Sequence, residues 1–289
     1  MTRTLDQPVI DEIRLALETS PASWDSVSGG DVSDAFDVSL GDGRRVFVKT
    51  HTDPPPGFFE TEAAGLRWLL ESGAVRVPEV LAVGDDPAFL VLEWIDEGSP
   101  RAGTEERLGR ALAALHGSGA PCFGREDRRT TGSRGLPNEP CDTWAEFYAT
   151  QRLIPLARMA RDQGVLESST VRVLDGVTER LEDLGGDPEP PARLHGDLWA
   201  GNRLVDAGGE NWLIDPAAHG GHREYDLAMM RLFGGYGEAC FSEYASDFPL
   251  ADGWRGRVPL HQLAPLVVHA VKFGGGYVPA VERALGALR

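Results

Sequence analysis

Along the first third of the chain, apolar residues repeat with helical spacing in some segments and form strand-like runs in others. Residues 9–19 and 59–72 repeat apolar side chains with helical spacing. Four shorter runs are rich in Val, Phe, Leu and Ile and have the character of strands: residues 35–40, 45–50, 80–83 and 89–95. Asp42 and Gly43 separate the first two of these runs and are typical of a hairpin. We therefore predict a mostly antiparallel sheet with one packed helix over residues 1–95.

Helical spacing dominates the remaining two thirds of the chain. Helices are predicted over three segments and again beyond residue 226: 105–116, 143–163 and 168–183. Pro155 lies inside the second segment and should kink or divide that helix, because proline has no N–H group to donate. Asp226 precedes an apolar helical segment and is a candidate N-cap. The predicted fold class is α+β, an N-terminal sheet followed by a mainly helical part.

Composition limits the classes of function. The 289 residues include 45 acidic and 28 basic side chains, which gives a net charge of −17. This charge disfavours binding to nucleic acid or to an anionic membrane, because both attract basic surfaces. The chain has no apolar run of the roughly 18 residues that a membrane span needs, and its three cysteines are far apart. We expect a cytoplasmic protein with reduced cysteines, no cysteine zinc site and no membrane partner.

Lysine is rare in this chain, since only Lys49 and Lys272 are lysines among the basic residues. An ammonium group is a compact point charge that can contact phosphate oxygens while it pairs with a carboxylate, whereas a guanidinium group is broader. Lys49 ends a predicted strand and is a candidate phosphate-binding residue, with an ordinary strand-end lysine as the alternative. Lys272 lies near a helix end, where it can pair with the helix dipole.

The most informative segment is HGDLWAGN at residues 195–202, followed by LIDP at 213–216. Phosphoryl transfer needs a carboxylate that positions and deprotonates a hydroxyl group, and oxygen ligands for Mg²⁺ at the terminal phosphates. Asp197 can be that base, and Asn202 follows it at the separation of the catalytic-loop Asp and Asn of protein kinases. Asp215 comes directly after an apolar run and is, with Asn202, a candidate metal ligand. A hydrogen-bonded loop without catalytic function is the alternative.

These motifs resemble the fructosamine kinase (ketosamine-3-kinase) family, a branch of the protein-kinase-like fold. HGDLWAGN and REYDLAMMRLFGG carry the resemblance, and GGD, VFVK and FETEA fall in the family's order at residues 29–31, 46–49 and 59–63. The HGDxxxxN element alone is shared with aminoglycoside and choline kinases. The resemblance implies a two-lobed enzyme with ATP and Mg²⁺ as cofactors. Its nucleotide-binding lobe would span residues 1–95, and its catalytic and substrate lobe residues 96–289.

The resemblance also assigns residues to the nucleotide. Lys49, paired with Glu62 on the predicted helix, would position the phosphates, while Glu60 points to another face of that helix. A turn at Gly29 and Gly30 would lie over the phosphates, because glycine amides can approach phosphate oxygens closely. The adenine edge would be read by backbone groups at the end of the last strand: Glu93, Trp94 and Ile95.

The acceptor side offers less specific candidates. Trp199 can stack on a sugar, with a core tryptophan as the alternative. His219 follows the LIDP motif and can line the substrate side of the cleft; a metal pair with His222 is a weaker interpretation. By analogy with kinases, His195 is assigned a structural role, and an acid at Asp226 would brace the catalytic loop.

The resemblance implies a ketosamine acceptor, a 1-amino-1-deoxyketose that is free or carried on a protein lysine and is phosphorylated on its 3-hydroxyl group. Fructosamine, ribulosamine and erythrulosamine adducts are the candidates, and the implied role is protein deglycation, because the product breaks down and releases the amine. One alternative is an aminoglycoside- or choline-type small-molecule phosphotransferase. Another is an inactive nucleotide-binding module, against which the joint presence of Lys49, Asp197, Asn202 and Asp215 argues. No oligomeric state is predicted.

Overall fold

The computed structural model describes residues 4–27, 33–128, 130–131, 135–185 and 188–288. The helices of this part are α1 (Gln7–Leu17), α2 (Phe58–Glu71), α3 (Thr104–Gly117), α4 (Trp144–Phe147), α5 (Ile154–Asp162), α6 (Ser168–Thr178), α7 (Leu181–Leu184), α8 (Glu224–Leu232), α9 (Glu238–Asp247), α10 (Trp254–Phe273) and α11 (Tyr277–Gly286). The strands are β1 (Pro21–Val27), β2 (Asp34–Leu40), β3 (Arg45–Thr50), β4 (Val80–Asp85), β5 (Ala88–Glu93), β6 (Thr130–Thr131), β7 (Leu136–Pro137), β8 (Ala192–Leu194), β9 (Arg203–Val205), β10 (Asn211–Leu213) and β11 (His219–Gly221).

The N-terminal sheet has five antiparallel strands in the order β1-β2-β3-β5-β4. The antiparallel pairing confirms the prediction, and so does the β2–β3 hairpin, whose turn is closed by a bond from the Gly43 N–H to the Leu40 carbonyl at 3.0 Å. Strand β1 is not among the runs that the sequence predicts. It is an edge strand whose side chains are exposed or half-buried, so its sequence PASWDSV carries no apolar alternation.

Alternation along the two central strands decides which face of the sheet each side chain occupies. In β5, Val91 packs toward α1 and Leu90 packs toward α2, so the strand is apolar along most of its length because both faces are covered. In β3, Val48 packs toward α1. The next residue, Lys49, therefore points to the opposite face, where α2 lies.

Two apolar clusters organise the rest of the molecule. One begins at α2 with Phe59 and continues through Leu108 of α3 and Leu227 of α8, so it joins the sheet to the helical part. The other lies among α4–α6, α10 and α11 and includes Phe147 and Leu263. None of the helices in the described part combines the length and the apolar character that a membrane span requires.

The predicted helices agree with the structure in type but differ at their boundaries. The helix expected over residues 143–163 is divided near Pro155, as predicted: a π-helical turn at Tyr148–Leu153 separates α4 from α5. The helix expected over residues 168–183 is two helices, α6 and α7. The N-cap prediction for Asp226 is wrong, because α8 begins at Glu224 and Asp226 lies within its first turn. The boundary between lobes at residues 95 and 96 stays a prediction.

Candidate active site

Lys49, Glu62 and Asp215 meet between the sheet and the helical part. The Lys49 Nζ lies 2.8 Å from the Glu62 Oε1 and 2.5 Å from the Asp215 Oδ1. Lys49 is 7% exposed, so its charge depends on these two carboxylates rather than on water. The predicted pair is present, and Glu62 rather than Glu60 supplies the carboxylate. The structure adds Asp215, which is far from both in sequence.

Electrostatics couples the three groups. Burial alone would lower the pKa of Lys49, but the carboxylates of Glu62 and Asp215 outweigh it and hold that pKa above its usual range. Burial raises the pKa of Glu62, Lys49 opposes this effect, and the Asp215 charge adds to it. The Lys49 ammonium group therefore offsets the repulsion between the Glu62 and Asp215 carboxylates in this partly buried site.

The HGDLWAGN loop at residues 195–202 is held by its own asparagine. The Asn202 Nδ2 donates to the Asp197 carbonyl at 2.8 Å and to the Asp197 Oδ2 at 3.1 Å. The same amide nitrogen lies 3.4 Å from the Asp215 carbonyl oxygen, and the Ile214 N–H donates to the Asn202 carbonyl at 3.0 Å. Asn202 thus joins the HGDLWAGN and LIDP segments and orients the carboxylate of Asp197.

His195 and Asp226 hold this loop through hydrogen bonds with backbone groups. With its proton on Nε2, His195 donates to the Ile214 carbonyl at 2.9 Å, while its Nδ1 accepts from the Asp197 N–H at 3.3 Å. The Asp226 carboxylate accepts from the backbone N–H groups of His195 at 2.7 Å and Gly196 at 2.9 Å. Both side chains are fully buried. This geometry matches the structural role expected of His195 and the bracing role expected of Asp226.

We expect Asp226→Ala to lower the free energy of unfolding by about 2–3 kcal/mol, because two buried backbone N–H groups lose their acceptor. Urea denaturation followed by fluorescence measures the change. Asp226→Asn keeps the size of the side chain but only one acceptor oxygen, and its NH2 group faces the second backbone N–H, so we expect it to recover only part of the loss. A midpoint for Asp226→Ala equal to that of the parent protein would show that the loop does not depend on this carboxylate.

Two backbone conformations in the site are unusual. Asp215 has φ of +54°, in the left-handed region that aspartate tolerates better than most residues. Gly196 has φ of +82°, and a Cβ there would lie 2.1 Å from the Ala217 carbonyl oxygen. The HGD motif therefore needs glycine because the loop passes directly against the segment that follows Asp215.

The environment of Asp197 suits a base that works near neutral pH. Burial raises the pKa of Asp197 to about 7; the hydrogen bond from Asn202 opposes the shift, and the nearby charges of Asp215 and Asp226 add to it. The charge of Lys272 acts in the opposite direction. The sequence assigns Lys272 only to the end of α10, which is where it lies, and shows no sign of its proximity to Asp197.

Oxygen atoms suited to a divalent cation remain available beside Asp197. Asn202 contacts Asp197 through its amide nitrogen, and its side-chain oxygen accepts no hydrogen bond from the described residues. In the same part of the chain, the Asp215 Oδ2 also has no hydrogen-bond partner, while its Oδ1 contacts Lys49. One carboxylate and one amide oxygen are ligands that Mg²⁺ accepts, so these residues fit the predicted metal site.

The segment predicted to contact adenine borders a cavity between the sheet and the β9–β10 turn. The cavity has a volume of about 260 Å³. It is lined by residues from both sides: Glu93, Trp94, Ile95, Asp96, Asp206, Ala207, Gly208 and Trp212. Ile95 is buried, and its backbone N–H donates to none of the described residues. This N–H group is therefore available to donate to a ligand in the cavity. Gly29 and Gly30 lie outside the described residues.

The two candidates on the acceptor side differ in accessibility. Trp199 is 39% exposed and its ring contacts that of Phe233, with centroids 6.0 Å apart. His219 is buried, stacks on Phe147 at 5.2 Å, and its Nδ1 lies 2.9 Å from the Ala217 carbonyl oxygen. Burial, with the charge of Arg152 as a second cause, lowers the pKa of His219 to about 3, so its ring is neutral.

His219 and His222 do not belong to one group of three or more potential metal ligands in the described part of the chain. His222 instead lies with Glu224 and His261, in the one group of three potential ligands that the described residues contain within 4.8 Å of one another. Arg257 already binds the Glu224 carboxylate with two nitrogens, at 2.5 Å and 2.8 Å. The carboxylate is therefore neutralised by a guanidinium group.

Comparison with known proteins places the chain in a family. The family model described as fructosamine kinase matches residues 7–288. A chloroplastic protein-ribulosamine 3-kinase of Arabidopsis thaliana is 34% identical over 260 residues, which cover 87% of this chain and 78% of the relative. A crystal structure from Thermobifida fusca, provisionally assigned as a fructosamine-3-kinase, is 41% identical and superposes with a TM-score of 0.90 over 97% of this chain and 98% of the other.

A more distant structure identifies the fold. Choline kinase from Streptococcus pneumoniae superposes with a TM-score of 0.63 over 98% of each chain at 16% identity. This likeness supports the protein-kinase-like fold and says nothing about the acceptor. The family match covers nearly the whole chain and confirms the resemblance carried by HGDLWAGN and REYDLAMMRLFGG. This chain belongs to the fructosamine kinase family.

Proposed function

We propose that the protein transfers the γ-phosphoryl group of ATP to the 3-hydroxyl group of ketosamines. The observation that carries the proposal is the convergence of Lys49, Asp197, Asn202 and Asp215 at one place between the sheet and the helical part. Together these residues supply a base, oxygen ligands and a phosphate-binding cation, which are the groups that phosphoryl transfer requires.

Asp197 is the proposed general base. Its carboxylate accepts the proton of the acceptor hydroxyl as that oxygen attacks the γ-phosphorus, and ADP is the leaving group. Asn202 orients the carboxylate through the 3.1 Å bond to the Asp197 Oδ2. Burial keeps the pKa of Asp197 near 7, so the group can both take and release a proton at neutral pH.

Lys49 and the two oxygen-bearing residues act on the phosphates. We assign Lys49 to phosphate oxygens, with Glu62 holding its ammonium group at 2.8 Å. Asn202 and Asp215 would hold Mg²⁺, which when bound neutralises charge on the terminal phosphates. Glu93, Trp94 and Ile95 border the cavity proposed for adenine, where the Ile95 N–H group can donate to the adenine ring.

The acceptor class rests on the family and on the Arabidopsis relative, whose name states a protein-bound ribulosamine. We therefore place ribulosamine on lysine first among the acceptors, ahead of fructosamine and erythrulosamine. Phosphorylation at the 3-hydroxyl group makes the adduct unstable and releases the amine, which is the basis of the proposed role in deglycation. Cytoplasmic location stays a prediction.

The test offers the protein Mg-ATP with Nα-acetyl-Nε-ribulosyl-lysine, with kanamycin and with choline. We expect ADP release and a new ³¹P resonance of a sugar 3-phosphate only with the ribulosamine. Phosphorylation of kanamycin or choline alone would replace the proposal by the small-molecule alternative. Nucleotide binding without transfer to any acceptor would support an inactive module.

A further inference from the structure

Five aromatic side chains form a continuous surface that begins at the catalytic loop. They come from the loop itself, the end of α8, the last turns of α10 and the start of α11: Trp199, Phe233, His269, Phe273 and Tyr277. Neighbouring ring centroids are 6.0 Å apart for Trp199 and Phe233, and 5.1 Å apart for Phe233 and His269. His269 lies 5.7 Å from Phe273 and 5.0 Å from Tyr277. We call these five side chains the aromatic surface.

The aromatic surface is open to solvent. Trp199 is 39% exposed, Phe233 41% and Phe273 49%. Among the described residues the other large apolar side chains with comparable exposure are Leu15 on α1 and Leu70 on α2, in the N-terminal part of the chain. Exposed apolar side chains that cluster in one place mark a binding site more often than isolated ones do.

The backbone holds Trp199 in this position. A Cβ on Gly201 would lie 2.1 Å from the Trp199 ring, so the indole rests directly against a glycine. The Tyr236 hydroxyl donates to the Trp199 carbonyl at 3.1 Å, and the Trp199 N–H donates to the Asp197 carbonyl at 3.0 Å. The backbone of Trp199 is thus tied to that of the proposed base, and its ring packs against Gly201.

The other end of the aromatic surface lies beside a positive charge. The Lys272 Nζ lies 4.8 Å from the centroid of the Phe273 ring. The positive charge of Lys272 opposes the burial that raises the pKa of Asp197, so the two groups are within electrostatic reach. The aromatic surface therefore runs from Trp199, two residues after the base, to Phe273 beside the ammonium group of Lys272.

The chemistry of a ketosamine determines what must lie next to the base. Its nitrogen is bonded to C1, two carbons from the C3 that carries the reacting hydroxyl group. When that hydroxyl group is at Asp197, the substituent on nitrogen has to leave the site next to the base. The nitrogen is a secondary ammonium, which aromatic faces attract, and the alkyl chain of a modified lysine gains by contact with apolar rings.

We propose that the aromatic surface binds the amine portion of the substrate, namely the ammonium group and alkyl chain of a glycated lysine side chain. The proposal rests on the proposed ketosamine kinase function and adds to it the residues that select the amine. Trp199 contacts the ammonium group, and Phe233 and Phe273 contact the alkyl chain. The expected preference is for sugars attached to lysine over the same sugar with an unsubstituted amine.

The experiment compares two acceptors that share one sugar, 1-amino-1-deoxyribulose and Nα-acetyl-Nε-ribulosyl-lysine. For Phe233→Ala and for Phe273→Ala we expect KM for the lysine adduct to rise about 10-fold, because several methylene contacts are lost. We expect kcat for that adduct, and KM for the unsubstituted amine, to change less than about 2-fold. Leu70→Ala removes an equally exposed side chain elsewhere and should leave all four constants unchanged.

The outcomes separate this proposal from the one on which it rests. If the parent protein phosphorylates neither acceptor, the ketosamine function fails and the amine site fails with it. If the parent phosphorylates both, and the alanine variants change KM for both acceptors equally or for neither, only the amine site is overturned. Light scattering on the same variants identifies the other occupant: a shift to a smaller oligomer with an unchanged KM ratio would assign the aromatic surface to a second copy of the chain.

Discussion

Replacing Asp197 by asparagine is expected to lower kcat by about 10³-fold, because asparagine keeps the size of the side chain but cannot accept the hydroxyl proton. The Asn202 bond to the Asp197 carbonyl does not depend on the side chain, so the loop should keep its conformation. Single-turnover phosphorylation of a ribulosamine, with product followed by ³¹P NMR, measures the change.

Two measurements make the Asp197 prediction specific. Nucleotide binding by calorimetry should be retained, since Lys49 and Asp215 are untouched. Asp175→Asn, the same substitution on a partly exposed residue of α6, serves as the matched control and should leave kcat unchanged. Turnover by Asp197→Asn at the parent rate would refute Asp197 as the base.

The Asp197 substitution should also change how stability depends on pH. The pKa of Asp197 is raised to about 7 by burial, from 3.8 in the unfolded chain. Its contribution to stability is therefore complete below about pH 4 and is lost as pH rises through 7, where the folded protein must hold a partly desolvated carboxylate. The Asp197→Asn variant lacks this titrating group. In the nucleotide-free protein, its free energy of unfolding relative to that of the parent should therefore increase as pH rises from 4 to 7.

Lys49→Met is expected to lower the free energy of unfolding by about 3–5 kcal/mol, because it leaves Glu62 and Asp215 without their shared cation. Lys49 is nearly buried, so water does not replace the lost charge. Urea denaturation at pH 8 measures the effect. Phosphoryl transfer should be lost as well, since no other lysine lies on the face of the sheet that meets α2.

The Lys49 effect should depend on pH and on Glu62. Burial and the charge of Asp215 raise the pKa of Glu62, and removing Lys49 takes away the group that opposes them. In the variant, Glu62 does not lower the free energy of unfolding below its unfolded pKa, where it is protonated, but lowers it increasingly as pH rises. The difference in free energy of unfolding between the variant and the parent should therefore be larger at pH 8 than at pH 5. Glu62→Gln added to Lys49→Met should recover part of the loss.

Lys272→Met is the matched control, because Lys272 is the other lysine of the chain and is half-buried. It should change the free energy of unfolding by less than about 1 kcal/mol. Equal destabilisation by the two substitutions would show that the cluster of Lys49, Glu62 and Asp215 does not contribute specifically to the free energy of unfolding.

Several features of the site follow from local sequence patterns. Alternation along β3 puts Lys49 on the face opposite Val48, and helical spacing distinguishes Glu62 from Glu60. The five-residue spacing from Asp197 to Asn202 is short enough for one loop to bring the two side chains together. These relations involve residues near one another in the chain, so periodicity and loop length are sufficient to predict them.

Asp226 shows where such reasoning fails. An aspartate is favoured both at the N-cap and within the first turn of a helix, so its residue type does not reveal which position it occupies. The structure places it in the first turn of α8, where its carboxylate reaches the N–H groups of His195 and Gly196. Those partners lie about thirty residues earlier and are supplied by the packing of α8 against the loop.

The aromatic surface is a second case. Phe233 and Phe273 each precede two glycines at a helix end, in LFGG and KFGG, a repeated signal that local analysis can detect but not interpret. Whether these rings are buried in separate places or meet beside Trp199 depends on how α8, α10 and α11 pack.

The sequence by itself determined the α+β class, the antiparallel sheet, the family and the residues proposed for catalysis, because each is encoded in periodicity or in a short motif. The tertiary structure alone decided that Asp215 shares Lys49 with Glu62, that Asp197 is desolvated enough for its pKa to rise to about 7, and that the ring of Phe233 meets that of Trp199. Those properties depend on distance and on exclusion of water between segments far apart in the chain. Such quantities arise only when the helices and the sheet pack against one another.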